Sequence, residues 1–201
     1  MKLVLISGPT GSGKTSLSRI ILNELKNGIA LSTDDYYKTG LLSDLLSIFI
    51  GCYYDRNISF NYKLLKKDIN FICNNEKSDH SYFYDFKKKV KKKRYKKTLG
   101  IKYLIIEGIF VTELSNDLNK YECLFIKLKT NKESCMNRVI SRDVKERGKN
   151  KNKAKRDFLN SWEFFHNKKR TNKATKNKKE IIYSTKEDLD LVIKGIINLK
   201  T

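Results

Sequence analysis

An α/β fold with a mainly parallel sheet is what this sequence of 201 residues predicts, and three observations lead to it. Short apolar runs of strand length alternate with longer stretches of helical periodicity. A glycine-rich octet, Gly8-Pro9-Thr10-Gly11-Ser12-Gly13-Lys14-Thr15, sits between the first apolar run and the first helical stretch. The chain has 1 proline and no Pro/Gly-rich break, so the alternation reads as one domain over 1–201, long enough for a sizeable core.

The elements follow in order. Leu3-Val4-Leu5-Ile6 is an unbroken aliphatic run, as in a strand buried on both faces. Residues 16–25 continue without glycine or proline and read as the first helix. The second strand is expected at 29–31 and runs into Ser32-Thr33-Asp34-Asp35-Tyr36-Tyr37-Lys38. An insert over 39–97 departs from the alternation, with helical periodicity only at 61–74. Strands resume at 103–106, closed by Glu107-Gly108, and at 123–128. Helices are expected at 132–145 and around 158–166, then a fifth strand at 180–183 and a last helix at 187–199. A lysine-rich stretch covers 145–179.

Composition excludes some classes. No apolar run approaches the roughly 18 residues that span a bilayer, and the N-terminus reads as a strand rather than a signal peptide. A cytoplasmic location and no membrane partner are therefore expected. Cys52, Cys73, Cys123 and Cys135 form no C-x-x-C pair and read as ordinary thiols. The formal charge of +21 suits a nucleic-acid surface, but Lys, Asn and Ile are abundant throughout while Pro occurs once. That is the bias of an AT-rich genome, and nucleic acid is not the expected partner. The run Lys87-Lys88-Lys89-Val90-Lys91-Lys92-Lys93-Arg94-Tyr95-Lys96-Lys97 could bind nucleic acid or act as a localisation signal, and is read instead as a solvated basic hairpin.

The octet fits G-x-x-x-x-G-K-[ST], a phosphate-binding loop. Backbone amides of Gly8, Thr10, Gly11, Ser12, Gly13 and Ser16 would surround a triphosphate at the positive end of the first helix. Lys14 would neutralise the β- and γ-phosphates, and the Thr15 hydroxyl would hold Mg²⁺. ATP and Mg²⁺ are the cofactors expected. The GTPase tetrapeptide D-x-x-G is absent from the sequence. Asn131-Lys132-Glu133-Ser134 echoes a guanine-reading motif, but serine stands where aspartate is needed.

Three further groups carry chemistry. Asp34 and Asp35 lie at the carboxyl end of the second strand, where ligands of open α/β sheets sit, and a carboxylate there can accept a hydroxyl proton. Glu107 closes the third strand beside the loop as a partner for Mg²⁺. Arg138 and Arg142 share a helix face, and Arg147 precedes the hinge-capable Gly148. Such forks suit a lid over 142–157 that closes on the transferring phosphate; the alternative is a solvated helix with pairs such as Arg142–Glu146.

Together these motifs resemble the uridine kinase family of P-loop kinases, related to phosphoribulokinase, over nearly the whole chain. The resemblance implies the P-loop NTPase fold: a five-stranded sheet flanked by helices, with a substrate-binding hairpin insert at 39–97 and an Arg-rich lid. Asp34 and Tyr37 match the family's D-x-Y-Y, which makes Asp34 the catalytic base, close to the metal. Tyr54-Asp55 match the pair that grips the ribose hydroxyls, and Phe83-Tyr84-Asp85-Phe86 the segment that lines the nucleoside pocket. Arg142–Gly148 is the complete lid motif R-D-x-x-E-R-G. Catalysis is thus assigned to Asp34, Arg142 and Arg147, and acceptor binding to Tyr37, Tyr54, Asp55, Tyr84, Phe86, Arg138 and Lys149.

Departures lie on the acceptor side. Arg56-Asn57-Ile58-Ser59-Phe60-Asn61 replaces the family's H-P-D-A-F-D, and Lys89 stands where a histidine helps to read the base. The expected reaction is transfer from ATP to the 5′-hydroxyl of a ribonucleoside, uridine or cytidine first. Nicotinamide riboside or a sugar phosphate is the alternative acceptor. A basic nucleic-acid-binding protein with a regulatory ATP site is the alternative of another class. The family also suggests a homo-oligomer, a tetramer.

Overall fold

The computed structural model describes residues 1–114, 117–118, 121–167 and 179–199. Its chain order is β1 (Lys2–Ser7), α1 (Lys14–Leu25), β2 (Gly28–Ser32), α2 (Leu41–Phe49), α3 (Tyr62–Asn75), β3 (Lys77–Asp85), β4 (Val90–Leu99) and β5 (Tyr103–Glu107). It continues with a short α4 (Val111–Leu114), β6 (Cys123–Leu128), α5 (Lys132–Arg147), α6 (Lys151–Asn167), β7 (Lys179–Tyr183) and α7 (Leu189–Ile197). Five strands pair in parallel in the order β2-β5-β1-β6-β7, as an α/β sheet flanked by helices. The basic stretch after α6, residues 168–178, lies outside the described residues.

The aliphatic runs become the buried centre of the sheet, and alternate residues serve opposite faces. Val4, Ile6, Ile105, Leu124 and Ile126 meet Leu17 and Ile21 of α1 and Val192 and Ile196 of α7. Leu3, Leu5, Leu104 and Ile106 meet Leu65, Ile69 and Ile72 of α3 on the other side. A small third cluster, Cys135, Val139 and Phe158, joins α5 to α6. Asn131 explains the apparent guanine motif: its side chain caps α5 by accepting from the Ser134 amide at 2.7 Å.

The insert contains the hairpin that the resemblance implies, with the lysine run in the turn and second strand of the antiparallel β3–β4 pair, and also the unforeseen helix α2. Tyr84 is buried on β3 against the core, whereas the β4 cations Lys92, Lys93 and Arg94 are exposed. Lys89 turns to α2, with its Nζ 3.3 Å from Ser47 Oγ and 3.7 Å from Asp44 Oδ1.

Gly108, directly after β5, decides how closely β5 approaches the turn that follows β2. Its φ is 148°, its N–H donates to the Ile6 carbonyl at 3.1 Å, and a Cβ there would collide with Thr33 Oγ1. Thr33 is fully buried and has no room to retreat. Gly108→Ala is expected to cost about 2–4 kcal/mol from overpacking and unfavourable φ, read as a lowered urea midpoint. A midpoint equal to the parent's would show that this contact does not constrain the fold.

Candidate active site

The loop between β1 and α1 wraps as a phosphate cradle should. Gly11 and Gly13 hold φ angles of 77° and 98°, a region that glycine enters at little cost. A Cβ on Gly11 would lie 2.5 Å from the Cys135 carbonyl oxygen, so α5 presses directly on the loop. From that side Arg138 donates to the Gly11 carbonyl at 3.3 Å and Thr130 to the Ser12 carbonyl at 3.2 Å. Gly8, Thr10, Gly11, Ser12 and Gly13 thereby lead into Lys14, Thr15 and Ser16 at the N-terminus of α1, where first-turn amides lack helical partners. The buried Ser12 hydroxyl has no partner among the described residues, an open polar atom inside the cradle.

Lys14 Nζ donates back to the Pro9 carbonyl at 2.9 Å. Burial pushes its pKa down, and the charges of Glu107 and Asp34 pull it up again. Thr15 Oγ1 donates to Glu107 Oε1 at 2.9 Å, and Glu107 is 3% exposed. Burial raises the Glu107 pKa, Lys14 opposes the rise, and Asp34 adds to it. A hydroxyl beside buried carboxylates is the donor set Mg²⁺ accepts when phosphate and water complete its shell. Among the described residues no group of three or more His, Cys, Asp or Glu could hold a metal. Thr15, Glu107 and Asp34 would therefore share any cation with a bound triphosphate.

Asp34 sits in the short 3₁₀ turn Thr33–Tyr36 at the end of β2. Its charge acts on Lys14 and Glu107 on one side and on Tyr37, Asp55 and Arg147 on the other. It thus stands between the phosphate cradle and an aromatic box. In that box the Tyr37 ring centre lies 5.2 Å from Tyr54, 5.4 Å from Tyr84 and 5.8 Å from Phe86, all edge-on. Tyr37 also donates to the Tyr54 carbonyl at 2.7 Å. It is buried, so it braces the box from behind. Asp55 closes one side and accepts a short hydrogen bond from Ser161 of α6. Burial raises the Asp55 pKa, with Ser161 working against the rise and Asp34 for it.

The lid residues gather on one buried carboxylate, Asp143, which is 2% exposed. Arg142 Nη2 lies 2.9 Å from it, Arg147 Nη1 3.3 Å and Lys149 Nζ 2.9 Å. Burial opposes its ionisation, but Arg147, Lys149 and Arg142 outweigh burial and hold the carboxyl below its usual range. Lys149 also reaches Asp157 at 2.9 Å, and the Arg147 guanidinium lies 3.7 Å from the centre of the Phe86 ring. Gly148 ends α5 with φ 67° and allows the chain to turn into α6.

The sequence-derived residues therefore fall into two groups around Asp34. Arg138 lies against the phosphate loop and away from the aromatic box. Arg142 turns to Asp143 rather than to Glu146. Lys149 is engaged by two carboxylates. Two contributors went unforeseen, Asp143 and Ser161; Asp35, named with Asp34 from the sequence, takes a different part, its Oδ1 accepting from the Tyr84 amide at 3.0 Å and pinning the hairpin. Asp143 had a signal in its place beside Arg142 and four before Arg147. Ser161 had none, because its contact with Asp55 spans 106 residues.

Comparison with known proteins gives a consistent picture. A family model described as "Phosphoribulokinase / Uridine kinase family" matches residues 3–168. A uridine kinase of Ureaplasma parvum serovar 3 is 30% identical over 154 residues, covering 73% of this chain and 71% of that protein. A uridine kinase of Borrelia duttonii is 28% identical over 152 residues, covering 74% and 70%. Among solved structures, D-glycerate 3-kinase from Cryptococcus neoformans superposes with a TM-score of 0.63 at 14% identity, covering 90% of this chain and 85% of that one. At that identity the likeness concerns the fold alone.

Asp35 makes the pH dependence of stability testable. Burial, with repulsion from Asp34 and Glu107, raises its pKa to about 6 despite the Tyr84 hydrogen bond. A carboxylate raised in the fold penalises the folded state above that pKa, and the penalty fades as pH falls from about 6 towards the unfolded value near 3.9. Stability should therefore rise on acidification from pH 7 to pH 5, by on the order of 1 kcal/mol from this group. Asp35→Asn keeps an acceptor for the Tyr84 amide and should flatten that slope in urea titrations. A slope unchanged in the variant would assign it to other groups.

Proposed function

The chain belongs to the phosphoribulokinase/uridine kinase family, and from that premise we propose that it transfers the γ-phosphoryl group of ATP to the 5′-hydroxyl of a ribonucleoside, uridine or cytidine being preferred. Kinase chemistry follows from the family; the acceptor is our reading. One observation carries it. Asp34 shares a field with Lys14 and Glu107 on the phosphate side and with Asp55 on the acceptor side. A hydroxyl held between Asp55 and the cradle would meet Asp34 on its path to the phosphate.

In this mechanism the amides of residues 8–16 and the Lys14 ammonium hold the phosphates in line. Thr15, Glu107 and Asp34 are the residues that would hold Mg²⁺, which would supply positive charge to offset that of the phosphates. Asp34 accepts the proton of the attacking hydroxyl. Arg142 and Arg147, gathered on Asp143, supply positive charge to the transferring group and help to exclude water. Asp55 accepts from the ribose diol, with Ser161 holding its carboxylate in place. Phe86 and Tyr54, backed by the buried Tyr84, offer aromatic surface to a base.

Two measurements test this reading. Asp34→Asn should lower kcat by on the order of 10²–10⁴-fold while ATP still binds; near-normal turnover would remove Asp34 from the chemistry. Uridine should be preferred over 2′-deoxyuridine, and Asp55→Ala should erase most of that preference, because the ribose hydroxyls then lose their acceptor. An ADP-release screen over nucleosides and sugar phosphates decides the acceptor class. Turnover on a sugar phosphate and on no nucleoside would overturn the assignment.

A further inference from the structure

The 3₁₀ turn Thr33–Tyr36 that carries Asp34 is held through each of its other three residues. Thr33 is wedged under Gly108, and Asp35 accepts from the Tyr84 amide at 3.0 Å. Tyr36 ends the turn with two bonds to the α3 segment. Its carbonyl accepts from the Asn61 amide at 2.8 Å, and its hydroxyl donates to Asp68 Oδ2 at 2.9 Å. Tyr36 and Asp68 are both buried. The other oxygen of Asp68 lies 3.6 Å from Nε2 of His80 on β3, beyond hydrogen-bond length. That nitrogen has no hydrogen-bond partner among the described residues. The His80 ring meets Tyr82 edge-on at 5.0 Å, and Tyr82 meets Tyr36 at 5.5 Å. Turn, α3 and β3 are thus joined in one closed ring of contacts.

A hydroxyl, a carboxylate and an imidazole are a costly way to fill this space. Phenylalanine and leucine would occupy it without desolvating any polar group. Burial, and after it the Asp68 charge, drive the Tyr36 pKa far up, so the hydroxyl keeps its proton and remains a donor. What the polar set adds over an apolar one is direction. With Thr33, Asp35 and Tyr36 each held, the direction of Asp34 follows from a backbone that has no slack.

We propose that Asp68 is a positioning residue for phosphoryl transfer, holding the Tyr36 hydroxyl so that the turn aims Asp34, and that His80 ties Asp68 to the strand that carries Tyr84. The proposal rests on the reading of Asp34 as the base. It joins the acceptor side to the base by a second route, beneath the Asp35–Tyr84 contact. Small displacements of a proton acceptor from its line are costly to turnover, while binding of ATP at the cradle does not depend on them.

The test sets turnover against stability. Tyr36→Phe combined with Asp68→Leu removes both partners at similar volume, so the melting temperature should stay or rise. Its kcat with ATP and uridine should nevertheless fall about 10-fold, with the KM for ATP unchanged. Asp68→Asn keeps an acceptor for the Tyr36 hydroxyl and should recover most of that loss. His80→Phe keeps a ring against Tyr82 and should cost about 3-fold in kcat; an unchanged kcat removes His80 from the proposal. Should the pair variant fail to fold, Tyr36→Phe alone carries the same expectation for kcat. In an Asp34→Asn background the pair should cost nothing further, because both act through one carboxylate. A further loss there, or a kcat loss matched by a lowered melting temperature in the pair variant, overturns the positioning role. Near-normal turnover of Asp34→Asn sinks the base assignment itself, whereas a collapsed Asp34→Asn beside a pair variant of parental kcat sinks only the role of Asp68. A crystal structure of the pair variant gives an answer for any acceptor: residues 33–36 should shift and turn the Asp34 carboxylate, and a turn that superposes on the parent's overturns the proposal.

Discussion

The structure depends on where Glu107 stands in the sheet. In the parallel register it lies beside Ile6 of β1 and Ser32 of β2, the residues just before the phosphate loop and the Asp34 turn respectively. One strand end thus fixes the spacing between the anion cradle and the proposed base. The Thr15–Glu107 hydrogen bond ties α1 to β5, and the missing Cβ of Gly108 lets Thr33 close over the other side. A buried carboxylate is costly unless its charge is met. Here Lys14 and the Thr15 hydroxyl meet it, and the same groups are those a magnesium–triphosphate complex would engage.

Charge is handled differently on the lid. Arg142, Arg147 and Lys149 would repel one another if they merely crowded the cleft. Asp143 brings them together at 2.9 to 3.3 Å and lets three cations share one buried anion. Removing a single partner from such a cluster is expensive, because the charge left behind is buried without compensation. The cluster therefore fixes the forks in place, which in the proposed mechanism lowers the ordering that closure on a phosphate would require. Arg147 is further held by the face of Phe86, so lid and acceptor box meet through one guanidinium.

What could be read from the sequence follows the range of the interactions. The sheet strands were legible because Leu3–Ile6, Leu104–Ile106 and the run at 123–128 are apolar on both faces and need only local pattern. The cradle was legible because its chemistry is contiguous. The hairpin was legible only through the family resemblance and not from pattern, since β4 is a lysine strand stabilised by pairing with β3 rather than by its own burial. Helix α2 was missed for the opposite reason: its apolar stripe points to solvent, so periodicity alone gave no partner for it. Ser161 and the role of Arg138 depend on contacts across 106 and 127 residues, beyond any spacing rule.

The two adjacent aspartates show how specificity and chemistry are joined in this reading. Asp34 faces the cradle, while Asp35 holds the Tyr84 amide and so sets the height of the hairpin over the box. Tyr36, next in the chain, donates to Asp68 of α3 at 2.9 Å and anchors the same turn from below. A change in the hairpin that shifts Tyr84 therefore pulls on the turn that aims the proposed base. Lys89 adds a second tether, from the hairpin tip to Asp44 and Ser47 of α2. An ammonium engaged there is turned away from a base edge, which leaves recognition of the base to the shape of the aromatic box and to Asp55. Under the proposed function, acceptor choice would rest on how the insert is held in place, and the phosphate half could stay constant while that choice varies.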